Sequence, residues 1–66
     1  MIIVMSNAAT EDHIEGVLKR IKEKGLEGTV SKGTEKTVIG AVGDERLLDQ
    51  ELLQSLPGVE QALSLS

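Results

Sequence analysis

The chain has no cysteine, no phenylalanine, tyrosine or tryptophan, and a single proline and histidine in its 66 residues. Without cysteine there is no disulfide, thiolate metal site or cysteine nucleophile, and a reducing compartment is the expected setting, with the cytoplasm as default. Without aromatics, the 39% of residues that are apolar must build the interior from Leu, Ile, Val, Met and Ala. A chain this short is near the lower limit of what folds on its own core, so it has room for one domain and gains from anything docked on it. Long apolar runs are missing too. The run from Met1 to Met5 is too short for the apolar part of a signal peptide and lacks a basic flank, so neither export nor membrane insertion is expected. Positive charge is in the minority, with seven Lys and Arg against eleven Asp and Glu and a formal net charge of -4. That balance argues against nucleic acid or an anionic membrane as the main partner.

What is present is a sequence of short, well-punctuated elements centred on Ser31 to Asp44. Thr37, Val38 and Ile39 are β-branched in succession, which suits a strand. The strand-like run over residues 28–31 leads into Lys32-Gly33-Thr34, so a hairpin joins it to a third strand over residues 35–42. Ile2 to Met5 is apolar at every position, so both faces of the strand are apolar, and it reads as a central strand. Thr10 is the expected N-cap of a first helix with Glu11 and Asp12 in its first turn; Ile14, Val17, Leu18 and Ile21 share one face, and Gly25 stops the helix. A second helix is expected over residues 44–56, with Leu48, Leu52 and Leu56 in a stripe and Asp44 or Asp49 as N-cap. Pro57-Gly58 ends it. A last strand follows from Val59, with Val59, Leu63 and Leu65 on one face. The order βαββαβ predicts an α+β ferredoxin-like sandwich, a four-stranded antiparallel sheet with two helices on one face. The other face would expose apolar residues of the two central strands and so reads as a docking surface for a partner domain, a second copy, or both.

Candidate chemistry is sparse. Gly40-Ala41-Val42-Gly43 lies between strand and helix like a phosphate loop, but no Lys-Ser or Lys-Thr follows and Asp44 and Glu45 would repel phosphate, so it reads as a turn. His13 has no second histidine or cysteine to share a metal and reads as a half-exposed helix residue. Lys19, Arg20, Lys22 and Lys24 complement the end of the first helix dipole rather than form a binding patch. The carboxylates fall on polar helix positions, in a domain too small for a catalytic cleft.

The run Ser31-Lys32-Gly33, then Glu35-Lys36-Thr37-Val38-Ile39-Gly40, then Gly43-Asp44 resembles the N-terminal ferredoxin-like domain of DAHP synthases (3-deoxy-D-arabino-heptulosonate 7-phosphate synthases, or phospho-2-dehydro-3-deoxyheptonate aldolases). The similarity extends to the opening Met-Ile-Ile-Val strand, the Thr-Glu-Asp helix start and the Leu-Pro-Gly-Val-Glu step, and so covers the whole chain. It implies a regulatory domain preceding a (β/α)8 barrel, where phosphoenolpyruvate and erythrose 4-phosphate condense with the help of a divalent metal at the first step of the shikimate pathway. Catalytic and metal-binding residues would lie in that barrel, leaving this domain without enzyme activity or cofactor of its own. The resemblance further implies pairing with a second copy and feedback inhibition by tyrosine or phenylalanine bound between the two. Carried over by position, the ligand-binding residues are Thr29, Ser31, Lys32 and Gly33. Some members have histidine where Thr29 stands; threonine keeps a hydroxyl but loses the ring and its charge, which leaves the choice of effector open. Two other readings are an oligomerisation or docking module without a ligand, and a free-standing amino-acid-sensing adaptor. A metal-carrying ferredoxin-like domain would need a cysteine pair in its first loop.

Overall fold

The computed structural model describes residues 1–65. In chain order the elements are β1 (Ile2–Met5), α1 (Glu11–Glu23), β2 (Glu27–Lys32), β3 (Thr37–Val42), a 3-10 turn (Glu45–Leu47), α2 (Gln50–Ser55) and β4 (Val59–Leu63). The strands form one sheet in the order β2-β3-β1-β4, every neighbouring pair antiparallel. This is the expected ferredoxin-like sandwich. β1 is central, and its side chains alternate as a strand requires: Met1, Ile3 and Met5 are buried, whereas Ile2 and Val4 on the opposite face are half-buried. Ile3, Met5, Ile39 and Ala62 on the sheet pack with Ile14, Val17 and Ile21 of α1, Leu26, and Leu53 of α2 to form the core.

Local chemistry explains α1. The Thr10 hydroxyl accepts the His13 N–H at 3.2 Å, and His13 Nδ1 in turn accepts the Thr10 N–H at 3.1 Å. The pair is a capping box in which histidine fills the place usually taken by Glu or Gln. His13 is therefore more than a half-exposed helix residue, because it closes the first turn. Thr10→Ala removes one half of this cap and is expected to cost about 1 kcal/mol, read as a lower urea midpoint at unchanged slope. At the other end Gly25, with φ 87°, takes the left-handed conformation that ends the helix.

The second helix differs from the expectation of one element over residues 44–56. Asp44 Oδ1 accepts the Arg46 N–H at 3.1 Å and Asp49 Oδ1 accepts the Leu52 N–H at 3.2 Å, so each aspartate caps its own short turn. Between them Leu48 is extended (φ -99°, ψ 143°) and buried, leaving α2 only Gln50–Ser55. Side-chain capping competes with helix continuation, and here it wins twice. The Leu48, Leu52, Leu56 stripe thus spans a break. Arg46 also grips the Asp44 carboxylate through Nε and Nη2, each at 2.9 Å. That side-chain hydrogen bonding, with the Arg46 N–H second, holds the Asp44 carboxyl below its ordinary value. Its stabilising effect is present above the unfolded-state pKa and is lost as the pH falls through the lowered one.

The last strand departs from simple alternation. Val4 pairs with Gln61 while Met5 pairs with Val59, a register shift that makes Glu60 an extra residue. The bulge turns Val59 and Ala62 toward the core, separating Val59 from Leu63 and Leu65, which are 40% and 70% exposed. The Met1 ammonium lies 2.7 Å from Glu45 Oε2, and the Ser64 hydroxyl donates to the same side chain. The 3-10 turn is thereby fastened to the start of β1 and to the segment after β4.

Candidate functional site at the outer strand

β2 is an edge strand of six residues, all exposed. Its pairing with β3 sets which way each side chain points. Val30 lies opposite the buried Ile39 and Lys32 opposite Thr37, on the helix face; Thr29 lies opposite Gly40 and Ser31 opposite Val38, on the open face. Lys32 Nζ meets Glu11 Oε1 at 2.7 Å, tying the strand's end to the first turn of α1. Gly33 lies in the hairpin loop, its N–H donating to the Lys36 carbonyl at 2.9 Å, and a Cβ there would sit 3.0 Å from that carbonyl oxygen. Of the four residues singled out from the sequence, the fold brings Thr29 and Ser31 together on one exposed row. Lys32 lies on the other side of the sheet, and Gly33 shapes the turn.

Beside Thr29 and Ser31 the open face continues as Val38, Gly40, Ile2 and Val4, all half-buried, and then Val42 and Leu63, 62% and 40% exposed. Lys36 Nζ pairs with Glu60 Oε1 at 2.8 Å, linking the β2–β3 loop to the β4 bulge at one end of the sheet. This pair escaped sequence reading, since 24 positions separate its members and the bulge that places Glu60 leaves no local signal. Chemically the face offers an apolar floor with two hydroxyls along one rim, each able to donate and accept. Among the described residues no group of three or more His, Cys, Asp and Glu is placed to hold a metal ion, and no helix is long and apolar enough to cross a membrane.

A family model described as the DAHP synthase ferredoxin-like domain matches residues 1–66. The chain belongs to this family. Among curated relatives, the phospho-2-dehydro-3-deoxyheptonate aldolase of Thermotoga maritima is 38% identical over 63 residues, covering 96% of this chain and 19% of the relative. The crystal structure of the DAHP synthase from Thermotoga maritima superposes with a TM-score of 0.89 at 35% identity, over 98% of this chain and 19% of that one. The chain thus corresponds to about a fifth of the length of the DAHP synthases it matches.

Proposed function

We propose that this domain is the regulatory module of a DAHP synthase, binding tyrosine or phenylalanine and pairing with a second copy when it does so. The observation that carries the reading is the apolar open face of the sheet, rimmed on its free edge by the exposed hydroxyls of Thr29 and Ser31. An aromatic ring placed on Val38 and Ile2 would leave the water they now meet, while its ammonium and carboxylate are met by the two hydroxyls and by backbone groups of β2 and the Gly33 turn. Lys32, held by Glu11, fixes the strand end rather than reaching the ligand. Condensation of phosphoenolpyruvate with erythrose 4-phosphate, and the divalent metal it uses, belong on this reading to a (β/α)8 barrel in the same cytoplasmic enzyme, and this domain contributes no catalytic residue or cofactor.

Titration of phenylalanine and tyrosine into the 15N-labelled chain tests the proposal. Saturable shifts centred on Thr29 to Thr34, spreading to Val38 and Ile2, are expected, together with slower diffusion. Ser31→Ala should weaken binding about tenfold through one lost hydrogen bond. Unchanged spectra at millimolar amino acid would overturn effector binding by this domain.

A further inference from the structure

His13 fills its place in the α1 cap only while its ring nitrogen Nδ1 carries no proton. Nδ1 accepts the Thr10 N–H at 3.1 Å, so in the closed box the ring hydrogen sits on Nε2. The usual residues at this position accept with an oxygen instead; glutamine never titrates, and glutamate does so only at about pH 4.3. Histidine alone exchanges its acceptor for a donor between about pH 5 and 8. The ring also lies against Gly58, where a Cβ would be 2.6 Å from His13 Cβ and 2.7 Å from Cγ and Nδ1. The Gly58 carbonyl in turn accepts the Ser6 N–H at 2.8 Å. The loop after β1, the first turn of α1 and the turn before β4 therefore meet at one imidazole.

We propose that His13 is a proton-operated latch on the start of α1, closed when its ring is neutral and opened when Nδ1 takes a proton from solvent. The lone pair that held the Thr10 N–H becomes a second ring N–H bond, and two donors then face each other across the box. The Thr10 N–H loses its acceptor, and the ring must turn from it. Gly58 closes one side of the ring, so the chain accommodates the turn only by loosening the contact between α1 and the turn before β4. The inference goes beyond effector binding and holds whether or not the domain takes an amino acid.

The charges at this end of the fold pull both ways. On the same turn Glu11 and Asp12 favour an imidazolium, whereas the positive end of the helix dipole opposes it. Lys32 opposes it too: it reaches this turn from the end of β2 and holds Glu11 Oε1 at 2.7 Å. One turn along α1, Gly16 and Val17 carry no charge, and neither the loop of residues 6–9 nor the turn of residues 56–59 contains a titratable side chain. Next in β4, Glu60 is engaged by Lys36 at 2.8 Å. Because Glu11 belongs to the turn that His13 closes, opening the cap also slackens the hold on Lys32 and the hairpin end of β2. The stability contributed by the closed latch is present above the ordinary histidine range and is lost as the pH falls through about 6.5.

Ring and amide nitrogens of the 15N-labelled chain report the latch directly. The chain has one histidine, so its ring signals need no assignment. Between about pH 7.5 and 5.5 the carboxylates and lysines keep their charge. At the upper limit the ring should carry hydrogen on Nε2 and none on Nδ1. On acidification the Thr10 amide should follow the ring titration, with the Lys32 and Gly33 amides moving at the same midpoint. The unfolding constant from urea curves should rise about fivefold over the interval, as expected for one lost hydrogen bond. His13→Gln keeps an acceptor in the box and removes the titration, so its unfolding constant should stay level. The Met1 ammonium, paired with Glu45 near the start of β1, is common to both chains and drops out of the comparison. A ring protonated on Nδ1 at the upper limit, a Thr10 amide indifferent to the ring, or a His13→Gln chain with the parent's pH response would each overturn the latch. The first two are read on the parent alone and stand even if the variant folds poorly.

Discussion

Replacing Gly58 with alanine is expected to lower the domain's stability by about 3 kcal/mol, the sum of a backbone term and a steric one. Gly58 has φ 82°, in the region where an L side chain costs roughly 1 kcal/mol. A Cβ there would sit 2.6 Å from His13 Cβ and 2.7 Å from its Cγ and Nδ1. His13 cannot yield freely, since its Nδ1 accepts the Thr10 N–H that completes the α1 cap. The Gly58 backbone cannot easily withdraw either, because its carbonyl accepts the Ser6 N–H at 2.8 Å and anchors the α2–β4 turn to the end of β1. A chain of this length has a total stability of roughly 3–10 kcal/mol, so the substitution removes a large part of it. Urea denaturation followed by circular dichroism measures the loss. Gly25→Ala is the matched control: φ is 87° there too, but nothing lies within 4 Å of the added methyl. It should cost only the backbone term. Equal losses at the two positions would show that the His13 contact carries no weight.

Truncating Ile39 to alanine is expected to cost a further-reaching 3 to 4 kcal/mol, by the usual order of magnitude for a fully buried isoleucine. Ile39 has no exposed surface, pairs with Ile3 on one side and Val30 on the other, and sits in the middle of the helix-covered face. The cavity has few ways to close. No aromatic side chain is available to swing into it, Ile3 and Ile21 are β-branched and stiff at χ1, and Met5 is the flexible neighbour best able to refill part of the space. Ile39→Val removes a single methylene and should cost about 1 kcal/mol. The ratio of the two losses, from urea midpoints at constant slope, checks whether cavity size sets the cost. A loss below 1 kcal/mol for Ile39→Ala would mean that the core around β3 relaxes far more than its packing indicates.

The features legible in the sequence are those governed by neighbours in the chain. The apolar run at Ile2 to Met5 identified a central strand, and β1 does pair with a strand on each side, burying Ile3 and Met5 under the helices while Ile2 and Val4 lie half-buried on the open face. The 3.6-residue spacing of Ile14, Val17 and Ile21 marked the buried face of α1, and Thr10 and Gly25 marked its ends, since capping is decided within a few residues. The β-branched run after Gly33 marked the hairpin. Together these were enough for the order of elements, and right-handed crossovers then left the ferredoxin-like sandwich as the natural arrangement. Thr29 and Ser31 were singled out by family resemblance, together with Lys32 and Gly33, and the register of β2 on β3 is what sets the two hydroxyls on one row of the open face.

Tertiary contacts decided the rest. The second helix breaks at Leu48 because burying that side chain against the core favours an extended residue there, and Asp44 and Asp49 are each able to cap; the leucine spacing alone is equally compatible with one continuous helix. The bulge at Glu60 reverses the faces of β4 so that Ala62 enters a space already bounded by Ile3. Lys32 belongs to Glu11 and not to the hydroxyl row, a pairing set by where α1 starts above the hairpin. Gln50 and Gln54 likewise look like ordinary polar helix residues until α2 packs beside Ala62, where Gln50 Nε2 donates to the Ala62 carbonyl and Gln54 Oε1 accepts its N–H. Elements and their ends come from interactions a few residues long, whereas the assignment of faces, edges and partners depends on contacts that exist only after the chain has folded back on itself.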